Sequence, residues 1–214
     1  MRKIFVCFFS IITVMSFGQV QRNLVESQSL IREQIILNQE FNFFRDWNTV
    51  AVFKSGVGES IQTFPVKYSS VDGKTQLHGL QMYAFIKPEG TAFKVGSNYS
   101  GIAKENKNLV QRSVFIDKDD VGRMITFIER DIVPNLKTTF KKQSKEYVYK
   151  CREMFFSFLI DEKDLRITFH LVDYGPNGNG AGAGSDEVEF WTESQVDEIP
   201  AFLKAIKESY AKMK

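Results

Sequence analysis

Cysteine and histidine are nearly missing from this chain of 214 residues, which holds two of each. Cys7 lies in the first eighteen residues; once those are removed Cys151 stands alone and no intramolecular disulfide can form. Cys-x-x-Cys, His-Glu-x-x-His and Gly-x-Ser-x-Gly spacings do not occur, so nothing in the sequence argues for redox, metalloprotease or common hydrolase chemistry. Charge of one sign is lacking too. The net +2 comes from Arg2 and Lys3, and beyond them basic and acidic residues balance. A balanced chain gives no reason to expect nucleic acid or an anionic membrane surface as partner. Nor is there an apolar run of the roughly twenty residues that a spanning helix needs.

The first eighteen residues carry the most specific pattern. Arg2 and Lys3 precede Ile4–Met15, apolar except for Ser10 and Thr13, and Ser16 and Gly18 place small residues before Gln19. A positive end, a short apolar stretch and a small-x-small junction make a secretory signal peptide, with cleavage expected after Gly18. The expectation is a secreted or periplasmic protein with no membrane span after processing. Cys7 lies inside the apolar run and away from the junction, so no lipid anchor is expected there.

Residues 19–48 form an N-terminal segment predicted as a helix over 20–47, since Leu24, Ile31, Ile35 and Phe41–Phe44 recur at helical spacing. From Thr49 the pattern turns to short strands: Thr49–Lys54, Ile61–Tyr68, Leu77–Ile86, Thr91–Val95 and Leu109–Ile116. Asp72-Gly73 between two alternating runs signals a two-residue hairpin turn. A helix is predicted over Lys118–Lys142, kinked or ended by Pro134. Strands follow at Glu146–Ile160, Leu165–Asp173 and Glu187–Trp191, then a C-terminal helix. Cys151 falls within the first of these and reads as a buried structural thiol, with pairing between chains as the other possibility.

A stretch recurs at an offset of 75 residues. Ser113-Val-Phe-Ile-Asp117-Lys-Asp-Asp120-Val121 aligns with Val188-Glu-Phe-Trp-Thr192-Glu-Ser-Gln195-Val196. Each copy reads as a strand end, a capping residue and a helix start; Asp117 is the expected cap of one helix, and Thr192-x-x-Gln195 a capping box for the other. Pro200 lets the second helix start late, bend or break. The predicted architecture is α+β: an antiparallel β-meander plus helix, duplicated as 49–142 and 143–214, with helices on one sheet face and an extra N-terminal helix. In carrying this strand–acidic cap–helix junction twice, the chain resembles small exported bacterial proteins of unknown function. The resemblance spans residues 49–214 and implies no activity.

Other patterns carry little chemistry. Gly175–Ser185 is glycine-rich, but it leads into a strand and lacks the Lys that follows the last Gly of a phosphate loop. It reads as a hairpin tip. Asp117, Asp119 and Asp120 are explained by a helix N-terminus, and Asp186, Glu187 and Glu189 by a strand, so no metal site is assigned. His78 and His170 do not superpose at the 75-residue offset. Phenylalanine is abundant, and in Met154-Phe-Phe-Ser-Phe158 alternation puts Phe156 and Phe158 on one face and Phe155 on the other. No catalytic, cofactor-binding or metal residue is assigned, and no cofactor. The function expected is that of a non-enzymatic exported domain binding an unknown protein partner or itself. The alternatives are a carrier of an apolar ligand in a Phe-lined cavity and a hydrolase using scattered carboxylates with His78 or His170.

Overall fold

The computed structural model describes residues 28–48, 51–55, 58–87, 110–162, 164–173 and 186–213. The expected signal peptide, the strand Thr91–Val95 and the glycine-rich stretch 175–185 lie outside them. The fold is α+β, with two antiparallel sheets and three helices. Helix α1 (Leu30–Leu37) precedes β1 (Phe41–Arg45), β2 (Ala51–Lys54), β3 (Ser60–Ser70), β4 (Gln76–Ile86) and β5 (Val110–Asp117), then helix α2 (Lys118–Phe127). The second sheet holds β6 (Lys145–Lys150), β7 (Met154–Ile160), β8 (Leu165–Asp173) and β9 (Asp186–Thr192), followed by α3 (Ile199–Lys212). Neighbours in the first sheet run β1-β3-β4-β5, with β2 taking the other half of the β3 edge. The second sheet is a plain meander, β6-β7-β8-β9.

Period-two alternation sorts each strand into an inner and an outer face. Leu80, Met82 and Ala84 pair with Ile116, Val114 and Ile61 across the first sheet, all on the inner face. Phe156, Phe158, Ile167, Phe169 and Phe190 do the same in the second. These two faces and the apolar sides of α2 and α3 share one core. The predicted alternation in β7 holds, for Phe156 and Phe158 are fully buried there and Phe155 packs outside with Val172.

Several expectations are corrected. Among the described residues the N-terminal helix covers Leu30–Leu37; Asn38 ends it, and Phe41–Arg45 form a strand. An aromatic cluster next to an open sheet edge gains backbone pairing with β3, which outweighs helical periodicity. Helices α2 and α3 pack into the shared core, and the extra N-terminal helix lies on the opposite face of the first sheet. Helix α2 packs on the inner face of the first sheet, and α1 covers part of its outer face with Ile31 against Val66, Tyr68 and Phe115. Gly79 permits this approach, because a Cβ there would sit 2.7 Å from the Ile31 Cδ1 and 2.2 Å from the Ile116 carbonyl oxygen.

Glu146–Ile160 is two strands, broken by a tight turn in which the Cys151 N–H donates to the Met154 carbonyl. The β3–β4 hairpin forms, but its loop runs from Val71 to Thr75, with Gly73 at φ 70°. The long helix ends at Phe127 and continues as a π turn, Ile128–Ile132, and a 3-10 turn, Val133–Asn135. Pro134 lacks a donor and crowds the preceding turn, so the ladder widens before it. The Thr192 capping box does not form. Gln195 reaches instead to the Lys54 backbone N–H, and α3 begins late at Ile199 with Pro200 in its first turn.

Candidate functional site

Two polar clusters stand out, one buried and one at the surface. The buried one joins the two sheets. Glu153, in the β6–β7 turn, is fully buried and accepts from the Ser29 N–H and hydroxyl, both at 2.8 Å. Arg32 Nε donates to both of its oxygens at 3.0 Å, and the Phe115 N–H donates at 2.9 Å. Arg32 Nη2 donates to the Ser113 carbonyl at 2.6 Å. Among the described strands β5 ends its sheet, and these two side chains occupy groups that a further strand would otherwise pair.

Asp117 departs from its expected role. Its carboxylate makes no cap bond to α2 and accepts from the Leu30 and Ile31 N–H groups at 2.8 and 3.2 Å, capping α1 from another part of the chain. Burial pushes the Asp117 carboxyl above its usual range, against the pull of these N–H groups and of Arg152, 3.6 Å away. Every one of these charges faces a protein partner. The cluster is a junction that seats α1.

The surface cluster lies on the outer face of the first sheet, beyond the part that α1 covers. Register places Arg45 opposite Val66, Val66 opposite Gly79 and Phe64 opposite Gln81, which brings β1, β3 and β4 side chains together. The Arg45 guanidinium lies 4.7 Å from the Trp47 ring centroid, 4.8 Å from Tyr83 and 5.8 Å from Phe64. Its Nε and Nη2 donate to Gln81 Oε1 at 3.0 and 2.6 Å, and Nη2 also donates to the Tyr83 hydroxyl. Phe64 and Gln81 form a buried floor, whereas Trp47 is 63% exposed. Trp47 meets Phe64 edge-on at 4.9 Å, and Tyr83 stacks on Phe85. Among the described residues no carboxylate pairs with Arg45. Asp46 beside it accepts instead from the Asn48 N–H. The cluster leaves no signature in the sequence, because Phe41–Phe44 and Trp47 fit a helical stripe and its end equally well.

The residues singled out earlier do not converge. His78 is on the inner face of β4, paired with Lys67, and burial, with Lys67 and Lys118 nearby, lowers its basicity. His170 is on the outer face of the second sheet, edge-on to Phe155 and 3.8 Å from Glu189. Among the described residues no three His, Cys, Asp or Glu side chains are arranged to hold a metal. No described helix is long and apolar enough to cross a membrane. A groove of about 650 Å³ runs between α2 and α3, lined by Gly122, Arg123, Thr126, Lys207 and Tyr210. Its two cations are already engaged, Arg123 with Asp120 and Lys207 with Glu129.

Cys151 is buried in the turn before Glu153, and burial, reinforced by the Asp120 charge, pushes its thiol up to about 12. The folded thiol therefore keeps its proton where the unfolded one, near 9, has lost it. Its contribution is fully present below pH 9 and is lost as pH rises toward 12, at about 1.4 kcal/mol per unit. Tyr149, raised mainly by burial, adds the same trend at higher pH. Urea titrations from pH 8 to 11 are expected to show this alkaline slope, flattened in Cys151→Ala. Iodoacetamide at pH 8 is expected to label only unfolded protein; ready labelling of the native chain would contradict the burial.

No family model, curated protein or solved structure matches this chain.

Proposed function

We propose that this chain is an exported, non-enzymatic binding domain, and that the outer face around Arg45 and Trp47 is where it meets a partner protein. One observation carries the reading: an exposed Trp and a Tyr frame an Arg that has no carboxylate among the described residues. Trp, Tyr and Arg dominate the energetics of protein interfaces, since they combine large apolar area with a polar anchor. The Phe rings of β7 and β8 pack on one another, with Phe156 and Phe169 centroids 4.7 Å apart, which favours surface contact over an apolar cargo. The separation of His78 and His170 onto different sheets and different faces weighs against the hydrolase alternative.

A photo-crosslinking amino acid at Gln62, beside this cluster, is the direct test, with Val148 on the second sheet as the control position. In the native host the Gln62 position is expected to give one discrete adduct, either with a partner or with a second copy, and the control none. Trp47→Ala is expected to weaken that contact by about 2 kcal/mol, roughly thirtyfold. Equal labelling from both positions, or an adduct indifferent to Trp47→Ala, argues against the reading.

A further inference from the structure

We infer that Arg45 and Tyr83 together receive a carboxylate of the partner, carried on an acidic side chain next to an aromatic or aliphatic one. This rests on the reading of the outer face as a contact surface and adds the chemistry of what is bound. The guanidinium has five N–H donors in a rigid plane. Gln81 Oε1 occupies the fork formed by Nε and Nη2, and the Tyr83 oxygen takes Nη2 again. Nη1 is left without an acceptor among the described residues. The Tyr83 hydroxyl accepts from Arg45, and its own hydrogen likewise has no acceptor among them. The two donors belong to groups already joined through Nη2, and a carboxylate, with two acceptor oxygens, is the single group that takes both.

Charge and shape narrow the class further. The Arg45 cation is half-buried between Trp47 and Tyr83, and the rings and the Gln81 amide solvate it without neutralising it. A half-desolvated cation with no counter-charge among the described residues is the side of an ion pair that gains most from a partner. One guanidinium balances one carboxylate, while a phosphate dianion would stay half-neutralised. The exposed Trp47 ring offers the adjoining apolar contact, so the bound acid is expected to carry an apolar group beside it.

The probes are phenylacetate and its uncharged isostere phenylacetamide, titrated into the full chain while the Trp47 indole N–H and Arg45 Nε–H resonances are followed by NMR. Phenylacetate is expected to shift both saturably, with a dissociation constant of roughly 1 mM. Phenylacetamide is expected to bind at least about tenfold more weakly, the effect of removing one charge-assisted contact. Tyr83→Phe keeps the ring and removes the second donor; it should weaken phenylacetate about fivefold and leave phenylacetamide unchanged, the difference one hydrogen bond makes. Arg45→Gln removes the charge and should lose most of the discrimination between acid and amide. The acid-versus-amide comparison on the unmodified chain stands even if a variant fails to fold. Equal affinity for acid and amide overturns the carboxylate assignment while leaving the contact surface intact. No shift with either probe overturns the assignment as well, and the crosslinking experiment then judges the surface by itself.

Discussion

Glu153→Ala is expected to destabilise the fold by about 3–5 kcal/mol, the usual cost of removing one partner from a buried ion pair. Domains of this kind hold only about 5–15 kcal/mol in total, so that loss leaves a marginal protein. The size follows from what the carboxylate satisfies. Its two oxygens take Ser29, Arg32 and Phe115 donors from α1 and β5, and Glu153 itself is wholly out of water. Alanine leaves the Arg32 guanidinium, 7% exposed, without its counter-charge and the Phe115 and Ser29 N–H groups without acceptors. Arg32→Met combined with Glu153→Leu should recover part of the loss, since replacing a buried pair by apolar groups removes the uncompensated charge. Urea midpoints of the two single variants and the double variant decide this. A loss under about 1 kcal/mol for Glu153→Ala, the scale of an exposed pair, would show that the junction is not closed to water.

Phe169→Ala is expected to cost a comparable 3–5 kcal/mol or so, the range for emptying an aromatic core position. Phe169 lies at the centre of a ring cluster, with centroids at 4.7 Å to Phe156, 5.4 Å to Phe53, and 6.3 Å to both Phe190 and Phe202. Phe53 belongs to β2 of the first sheet and Phe202 to α3, and those two rings meet at 5.0 Å. The ring therefore bridges β2 of the first sheet, the second sheet and α3. Because that core is shared, unfolding is expected to remain one transition when the two sheets are monitored by separate probes. Two resolved transitions in the variant, with the first sheet surviving, would mean that the halves are stable units with little mutual packing. Phe169→Leu, which leaves a smaller cavity, should lose distinctly less.

Much of the fold was legible in the residues. Short apolar runs bounded by turn residues placed the strands β3, β4, β8 and β9 within a few positions, because a strand with buried residues along its length reads as such a run. Pro134 marked the end of the regular part of α2, because a missing donor has a local effect that context cannot cancel. What misled was pattern shared by two structures. Phe41–Phe44 fits a helix stripe and also a strand paired at an open edge, and only the edge of β3 decides between them. The stretch at Cys151 reads as unbroken strand, yet the turn there exists to bring Glu153 under α1.

The candidate site was less legible still. Arg45, Trp47, Gln81 and Tyr83 are separated by as many as 38 positions and share no motif. They meet because β1 and β4 flank β3 in one register, and a shift of one residue would send them to the opposite face. Asp117 shows the same limit, for its position before α2 is that of a cap, while its bonds go to α1.

By itself the sequence determined the α+β class and most strand faces, since alternation and turn residues act over a few neighbouring positions. Tertiary structure alone decided that α1 covers the outer face, that Glu153 and Arg32 close the edge of β5, and that Arg45 stands among aromatic rings. Those outcomes depend on which distant donors, acceptors and faces come together, and burial makes such pairings binding only after the sheets have assembled.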